Sequence, residues 1–190
     1  MAQADEAARG LDVSVPNAAR MYDYFLGGKD NFEADRVTAD RILALVPQLR
    51  QSVVENRRFI GRVVRFLAAE AGIDQFLDIG AGLPTQGNTH EVVQRTANAR
   101  VVYVDHDPMV LAHASQLLSG TPATALVLAD LRDPDSVLSH DNLRELIDFE
   151  EPAGLLMTAV LHFVAFSYVF SMASMARAGS LSPVACDSTR

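Results

Sequence analysis

The sequence predicts an α/β fold, in which helices cover both faces of a parallel β-sheet. Four short apolar runs, at 75–79, 100–104, 124–129 and 153–160, alternate with segments that carry helix start and stop signals. Such alternation is typical of βαβ units, whose strands are buried on both faces and are therefore apolar throughout. The chain has 190 residues, 49% of them hydrophobic, which is enough for one domain with a sizeable core.

Helical patterns come first in the chain. Residues 1–13 are polar and are predicted to be disordered. Pro16 suits the first turn of a helix, because its missing N–H costs nothing there, and Gly27 suits the end of the same helix. A third helix is predicted from about 51 to 71, where apolar residues recur at helical spacing and Gly72 follows.

Acidic residues mark the starts of the other helices. Asp30 and Glu33 have capping-box spacing, which predicts that the second helix runs from about 31 to 46. Asp107 and Asp133 each precede a proline, a good pair for an N-cap and a first helical position. The helices predicted after the first apolar run are 89–97, 108–119 and 134–147.

Composition and charge exclude several classes of function. The net charge is −8 and the isoelectric point about 5.0, which disfavours a nucleic-acid partner. The single cysteine, Cys186, excludes a disulfide within the chain and a cysteine metal cluster, and the histidines lack the spacing of a zinc site. The polar N-terminus lacks the apolar core of a signal peptide, which predicts a cytoplasmic protein.

One uncharged segment has the length of a membrane span. Residues 153–176 contain no Asp, Glu, Lys or Arg, and about 20 apolar residues suffice to cross a bilayer. The segment also contains His162 and several serines, and its first half is typical of a buried strand. We therefore expect no membrane partner.

Polar residues stand where the predicted strands end. Asp78 lies near the end of the first strand, and Asp105 and Asp130 follow the second and third. His162 follows the fourth. Because ligands of open parallel sheets bind at the carboxyl ends of the strands, these side chains predict a binding site at that edge.

The turn in FLDIGAGLPT, residues 76–85, has a glycine pattern related to dinucleotide-binding turns. Gly80 and Gly82 match the G-x-G-x-x-G fingerprint, but Thr85 stands where the third glycine should be. Asp78 would also repel a phosphate placed at this turn. The sequence therefore disfavours an NAD-dependent dehydrogenase, an alternative that tight NAD binding would revive.

A ligand with an adenosine and a cationic amino-acid tail fits the same residues better. Asp78 can receive an ammonium or lie near a sulfonium. Asp105, 25 residues beyond Gly80, is placed to bind both ribose hydroxyls, and Asp130 to accept a hydrogen bond from an exocyclic amine. Together these acids predict binding of S-adenosylmethionine (SAM).

Two sets of motifs carry a resemblance to known proteins. The first three motifs of class I SAM-dependent methyltransferases are similar to DIGAG at 78–82, VVYVDHDP at 101–108 and ADLRDP at 129–134. Three segments resemble the bacterial S-adenosyl methyltransferase family, which was once catalogued as a domain of unknown function. They are NAARMYDYFLGGKDNFEAD at 17–35, FLDIGAGLPT at 76–85 and AVLHFV at 159–164. The resemblance covers residues 14–164. It implies a Rossmann-like sheet of the class I methyltransferase type with an N-terminal helical extension, and SAM as the cofactor.

The resemblance also implies which residues form the site. The glycine turn would line the methionine part of SAM, Asp105 would hold the ribose, and Asp130 would meet the adenine edge. His162 would act as a general base if the acceptor must lose a proton. The residues expected to contact SAM are Asp78, Gly80, Ala81, Gly82, Pro84, Thr85, Asp105, His106, Asp107, Asp130 and Leu131 in the sheet domain, and Arg20, Tyr22, Lys29 and Asn31 in the helices.

After Val164 the sequence no longer follows the family pattern. The C-terminal strands of a complete class I fold are therefore expected to be missing or atypical. Two functions are expected: methyl transfer from SAM to an unidentified acceptor, with a small molecule favoured, or SAM binding by a truncated, non-catalytic remnant. The sequence leaves open whether the protein forms a homo-oligomer. The predicted divisions are a disordered N-terminus (1–13), a helical cover (14–72), a Rossmann-like SAM-binding domain (73–164) and a divergent tail (165–190).

Overall fold

The computed structural model describes residues 12–84, 87–95, 98–121 and 123–164. The predicted tail, and all but two residues of the predicted disordered N-terminus, lie outside these ranges. Within them, N-terminal helices precede a parallel sheet that has helices on both faces. This arrangement confirms the predicted α/β class.

The described part of the chain begins with three helices: α1 at Ala18–Leu26, α2 at Glu33–Leu45 and α3 at Leu49–Ala69. Asn17 caps α1, because its side-chain oxygen accepts hydrogen bonds from two N–H groups of the first turn (2.9 and 3.2 Å). Gly27 ends α1 with a φ of +82°, where glycine avoids the penalty of a Cβ atom. An apolar cluster around Phe25, Ala39 and Val53 joins the three helices.

Helix α2 begins two residues later than the sequence predicts. Phe32 rather than Asp30 occupies the N-cap, and its backbone N–H donates to the Asp35 carboxylate (2.8 Å). Asp30 belongs instead to a turn around the buried carboxylate of Asp23, which accepts from the Asp30 backbone N–H and the Asn31 side-chain amide, both at 2.9 Å. A buried tertiary contact outweighs the local capping pattern at this boundary.

Within the described residues, one sheet contains four parallel strands: β1 at Gln75–Ile79, β2 at Arg100–Asp105, β3 at Thr124–Leu128 and β4 at Gly154–Leu156. Their order is β3-β2-β1-β4. Asp78 of β1 pairs in register with Tyr103 of β2 and with Leu156 of β4. Strands β2 and β3 are added on one side of β1 and β4 on the other, so the strand order reverses between β1 and β4. Ligands of open sheets bind beside such a point.

Strand β4 is shorter than the apolar run at 153–160 predicts. It pairs with β1 over three residues. A turn at 158–160 follows, in which Ala159 adopts a left-handed conformation with a φ of +54°. A 3-10 helix at Leu161–Phe163 follows. An apolar run alone does not show where a buried strand ends and a buried turn begins.

Four helices lie between successive strands along the chain: α4 at Thr89–Val93, α5 at Pro108–Leu117, α6 at Pro134–Leu138 and α7 at Asp141–Leu146. Asp107 and Asp133 cap α5 and α6 as the sequence predicts, each through a side chain that accepts from a backbone N–H. The single helix predicted at 134–147 is two helices, because His140 caps a new one. Together with α3, these helices supply both outer layers of the sheet.

Apolar side chains are buried on both faces of the sheet. The neighbours Phe76 and Leu77 of β1 point to opposite faces and belong to different apolar clusters. Residues of α3, α4 and α5 complete the first cluster, and residues of α6 and α7 complete the second. The polar ends of the strands are therefore the part of the sheet that is open to a ligand.

No helix in the described ranges combines the length and the apolar composition needed to cross a membrane. The described part of the uncharged segment, residues 153–164, contains β4 and the 3-10 helix.

Candidate functional site

A cleft of about 570 Å³ lies at the carboxyl ends of β1, β2 and β4. Helices α1 and α3 form its other wall, so the cleft lies between the N-terminal helices and the sheet. It adjoins the point where the strand order reverses. Small-molecule sites typically have volumes of roughly 300–1000 Å³, and this cleft falls within that range.

The turn after β1 has its backbone N–H groups already satisfied. Those of Gly80 and Ala81 donate to the Val104 carbonyl (2.8 and 3.3 Å). That of Gly82 donates to the Asp105 carboxylate at 3.0 Å. Phosphate-binding turns need free N–H groups at the start of a helix, and α4 begins well after this turn. The geometry agrees with the sequence argument against a dinucleotide.

Gly80 is where the turn approaches the segment after β4 most closely. Its φ is +71°, and a Cβ atom built there would lie 2.4 Å from a methyl carbon of Val160. Ala159 turns the chain just before Val160. Glycine meets both conditions, the left-handed backbone and the lack of space, without strain. The contact joins the glycine turn to the cleft wall that follows β4.

Asp105 is buried at the end of β2 and joins two loops. Its Oδ2 accepts from the Gly82 N–H and its Oδ1 from the Asp107 N–H, both at 3.0 Å. An ionised carboxylate has about four acceptor positions, so two stay available to a ligand. The exposed His106 ring has its Nδ1 atom 3.5 Å from Asp105 Oδ1. This arrangement can bind a pair of hydroxyl groups.

Asp107 connects the sheet to the N-terminal helices. Its Oδ1 accepts from the Met109 N–H at 2.8 Å and so caps α5. Its Oδ2 accepts from the Asn17 side-chain amide at 2.5 Å. The Asn17 backbone N–H donates to Asp35 of α2 at 2.8 Å. Asp107 therefore holds the start of α1 at the rim of the cleft.

Asp78 lies at the floor of the cleft, half-buried. Its Oδ2 accepts from the Thr89 hydroxyl at 2.7 Å. Burial raises the pKa of the Asp78 carboxyl, an effect that the Thr89 hydrogen bond and the Arg57 guanidinium partly offset. A poorly solvated carboxylate gains more than a solvated one from a cationic ligand group. Asp78 is therefore arranged to receive a positive charge.

Asp78→Asn is expected to stabilise the free protein at pH 7. A carboxyl whose pKa is raised on folding favours the folded state below its unfolded pKa of 3.8, and this contribution is lost as pH rises through the folded pKa. At pH 7 the amide removes a buried charge and can still accept from Thr89. Thermal melts should show a gain of roughly 0.5–2 kcal/mol that disappears toward pH 3. A variant less stable than wild type at pH 7 would contradict this account.

Tyr103 and His90 support α4 behind Asp78. The Tyr103 hydroxyl accepts from the His90 backbone N–H (2.9 Å) and forms a second hydrogen bond with Nδ1 of the same residue (2.7 Å). Burial raises the pKa of Tyr103 and lowers that of His90, which keeps both groups neutral. The pair fixes the first turn of α4 and, with it, the Thr89 hydroxyl.

The structure brings most of the sequence-predicted residues to the cleft. Those that line it are Tyr22, Asp78, Gly80, Ala81, Gly82, Asp105, His106, Asp107, Leu131 and His162. Pro84 lines a smaller void behind the same turn, and Thr85 lies outside the described residues. His162 is exposed on the 3-10 helix, with its ring centroid 4.1 Å from that of Phe163.

Three residues expected to contact SAM from the helices do not line the cleft. Arg20 is buried against Asp35, with 2.7 Å between Nε and Oδ2, where α1 crosses α2. Asn31 donates to Asp23 in the turn between the same helices. Lys29 is exposed on that turn. Arg20 and Asn31 thus hold the helices together instead of facing the ligand space.

Asp130 also does not line the cleft, although its neighbours Ala129 and Leu131 do. The Arg132 guanidinium donates to both oxygens of its carboxylate, with Nε at 2.9 Å from each. These hydrogen bonds lower the pKa of Asp130. The sequence places the carboxylate at the right strand end, but the neighbouring arginine already occupies it.

The cleft contains one charged residue that the sequence analysis did not single out. Arg57 of α3 lines both the cleft and the smaller void behind the glycine turn. It lies in the same helical stripe as Val53, Ile60 and Val64, all of them buried. A charge within an apolar stripe was the signal available in the sequence. Thr89 offered no such signal, because its role depends on where α4 packs.

A profile of the S-adenosyl methyltransferase family matches residues 4–174 of the chain, so the match extends ten residues further at each end than the predicted 14–164. The crystal structure of a candidate methyltransferase from Thermobifida fusca YX is similar, with a TM-score of 0.87 and 51% identity over 92% of this chain and 66% of that one. A DUF574 family protein from Streptomyces avermitilis MA-4680 has a TM-score of 0.79 and 44% identity over 83% of this chain and 61% of its own. The chain thus spans less than two thirds of either structure. No curated protein matches it.

Proposed function

The chain belongs to the S-adenosyl methyltransferase family, and we propose that it transfers a methyl group from SAM to a small-molecule acceptor in the cleft. The proposal is carried by Asp78 and Asp105, which stand on neighbouring strands beside a glycine turn whose N–H groups are satisfied. That arrangement suits a cationic tail and a ribose, and not a diphosphate. Bound SAM supplies an activated methyl group, so the protein has mainly to position the reactants and exclude water.

We assign roles to the cleft residues by their position. Asp105 uses its two free acceptor positions to hold the ribose hydroxyls. Asp78 receives the ammonium of the amino-acid tail. Gly80 and Gly82 let the backbone approach the ligand closely. The remaining predicted contacts are Ala81, Pro84, Tyr22, His106, Asp107 and Leu131.

The acceptor that we propose is an uncharged, mostly apolar small molecule. The wall that the N-terminal helices contribute is largely apolar, with Met21, Phe25, Ile42, Leu49, Val53 and Ile60. The net charge of −8 and the acids at the strand ends weigh against a nucleic acid. His162, at the cleft margin, would take the proton of a hydroxyl or amine acceptor.

Titration calorimetry with SAM tests the proposal directly. We expect saturable binding with one SAM per chain, and no binding of NAD under the same conditions. Transfer is then followed as formation of S-adenosylhomocysteine in a screen of phenols, amines and their carboxylate analogues. Well-folded protein that does not bind SAM would refute the proposal, and equally tight NAD binding would favour a dehydrogenase.

SAM binding without transfer is a second candidate function. Among the described residues, no hydrogen bond orients the His162 ring, which stacks beside Phe163. A general base contributes only when it is held within reach of the proton that it abstracts. This alternative predicts SAM binding with no S-adenosylhomocysteine formed from any acceptor. A cytoplasmic location and a homo-oligomer stay predictions.

A further inference from the structure

We propose that Arg57 binds the carboxylate of the amino-acid tail of SAM, opposite the ammonium that Asp78 receives. The inference rests on the proposed function and adds a binding residue on helix α3 that no sequence motif marks. It makes the cleft selective for a zwitterion, with a cation on the helical wall and an anion on the sheet.

Half-buried Arg57 has unused hydrogen-bonding capacity. Its Nε atom is buried and has no hydrogen-bond partner within the described ranges. No ion pair between described residues includes it, whereas Arg20, Arg58 and Arg132 all pair with carboxylates. Leaving a buried N–H unsatisfied costs free energy, so native proteins rarely do it without a ligand or water to complete the site.

Arg57 and Asp78 line the same two cavities but form no ion pair with each other. Both line the cleft and also the small void behind the glycine turn. The guanidinium is near enough to counteract the effect of burial on Asp78, yet the two groups form no ion pair. An α-amino acid presents its ammonium and carboxylate on one carbon. Asp78 and Arg57, held apart, can therefore bind the ammonium and the carboxylate of such a group at the same time.

The guanidinium is also held in place. It lies over the ring of Tyr22, 5.6 Å from the ring centroid, and the Tyr22 hydroxyl accepts from the Asn56 side-chain amide at 2.9 Å. This cation–π contact restricts the position of the guanidinium, whose planar set of N–H donors suits two parallel hydrogen bonds to a carboxylate. Tyr22 therefore contributes to the cleft as a support for Arg57.

Arg57 is the one Lys or Arg among the described residues that line either cavity. The other charged side chains there are the aspartates Asp78, Asp105 and Asp107. Among the described residues that line these cavities, an anionic ligand group has no other Lys or Arg side chain to pair with. The SAM carboxylate therefore has a defined partner in this cleft, and that partner is on α3.

The test compares SAM with decarboxylated SAM, which keeps the sulfonium and the amine but lacks the carboxylate. Calorimetry is done on wild type, Arg57→Gln and Arg58→Gln. Arg58 is the matched control, because it is 65% exposed and pairs with Glu55 (2.6 Å) away from the cleft. We expect Arg57→Gln to weaken SAM binding roughly tenfold to a hundredfold and to leave decarboxylated SAM within twofold. Arg58→Gln should change neither.

Wild type itself should prefer SAM to decarboxylated SAM by a similar factor. Equal wild-type affinity for the two ligands would overturn the inference, and so would an Arg57→Gln variant that loses both equally. The wild-type comparison stands even if Arg57→Gln does not fold. Failure of wild type to bind either ligand would instead refute the proposed function, so the two failures are distinguishable.

Discussion

Replacing Asp105 with alanine is expected to weaken SAM binding about 100-fold. The carboxylate is proposed to accept from two ribose hydroxyls, and it also holds the Gly82 and Asp107 loops through backbone N–H groups at 3.0 Å. Hydrogen bonds to a charged group contribute about 1.5–3 kcal/mol each, so losing the pair to the ribose removes about 3 kcal/mol or more. At roughly 1.4 kcal/mol per factor of ten, calorimetry should detect this loss easily.

Two further variants separate binding from folding. Asp105→Asn keeps the shape of the side chain and one acceptor oxygen, and should also lose affinity, though less than the alanine variant. Asp74→Ala is the matched control, because Asp74 is an exposed aspartate just before β1, at the opposite end of that strand from the cleft. Its SAM affinity should equal that of wild type. An Asp105→Ala variant that folds and binds SAM normally would refute the ribose role.

Gly80→Ala is expected to be the most destabilising small substitution in the cleft. The left-handed backbone costs a non-glycine residue roughly 1–2 kcal/mol. The new Cβ atom would lie 2.4 Å from a Val160 methyl carbon and 2.7 Å from its Cβ, and overpacking costs typically 1–3 kcal/mol. Together these effects should lower the free energy of unfolding by about 2–5 kcal/mol. Chemical denaturation measures the loss.

A control and a double variant isolate the two causes. Gly120 has a φ of +83° with nothing within 4 Å of a built Cβ atom, so Gly120→Ala reports the backbone cost alone. Val160→Gly removes the three atoms nearest to the new Cβ, and in combination with Gly80→Ala it should recover the part due to crowding. Val160→Ala should recover less, because its Cβ remains. Equal losses for Gly80→Ala and Gly120→Ala would show that Val160 does not restrict the turn.

The boundaries predicted from the sequence differ in accuracy for identifiable reasons. The caps at Asp107 and Asp133 are correct, because an aspartate before a proline acts within its own turn. The cap at Asp30 is wrong, because Asp23 binds the backbone of that residue from another helix. The end of β4 is wrong, because the strand stops at Leu156 and a turn containing Ala159 follows, which an apolar run does not reveal.

The candidate site shows the same division between local and distant causes. Asp78 and Asp105 line the cleft because parallel strands end at one edge, and both residues stand at strand ends. Asp130 also follows a strand, but Arg132 binds its carboxylate. Arg20 has the charge expected of a ligand-binding residue, yet it is buried in an ion pair. Position along a strand could be predicted, whereas the partner of each side chain could not.

The sequence by itself determined the α/β class, the order of helices and strands, and the placement of acids beside a glycine turn. Those features follow from periodicity, caps and turn residues, which act over a few neighbouring positions. Only the tertiary structure decided that Arg57 of α3 shares a cavity with Asp78 of β1, and that the Thr89 hydroxyl reaches the same carboxylate. Such contacts depend on how the helices pack against the sheet. This packing is set by the whole core and not by any local pattern.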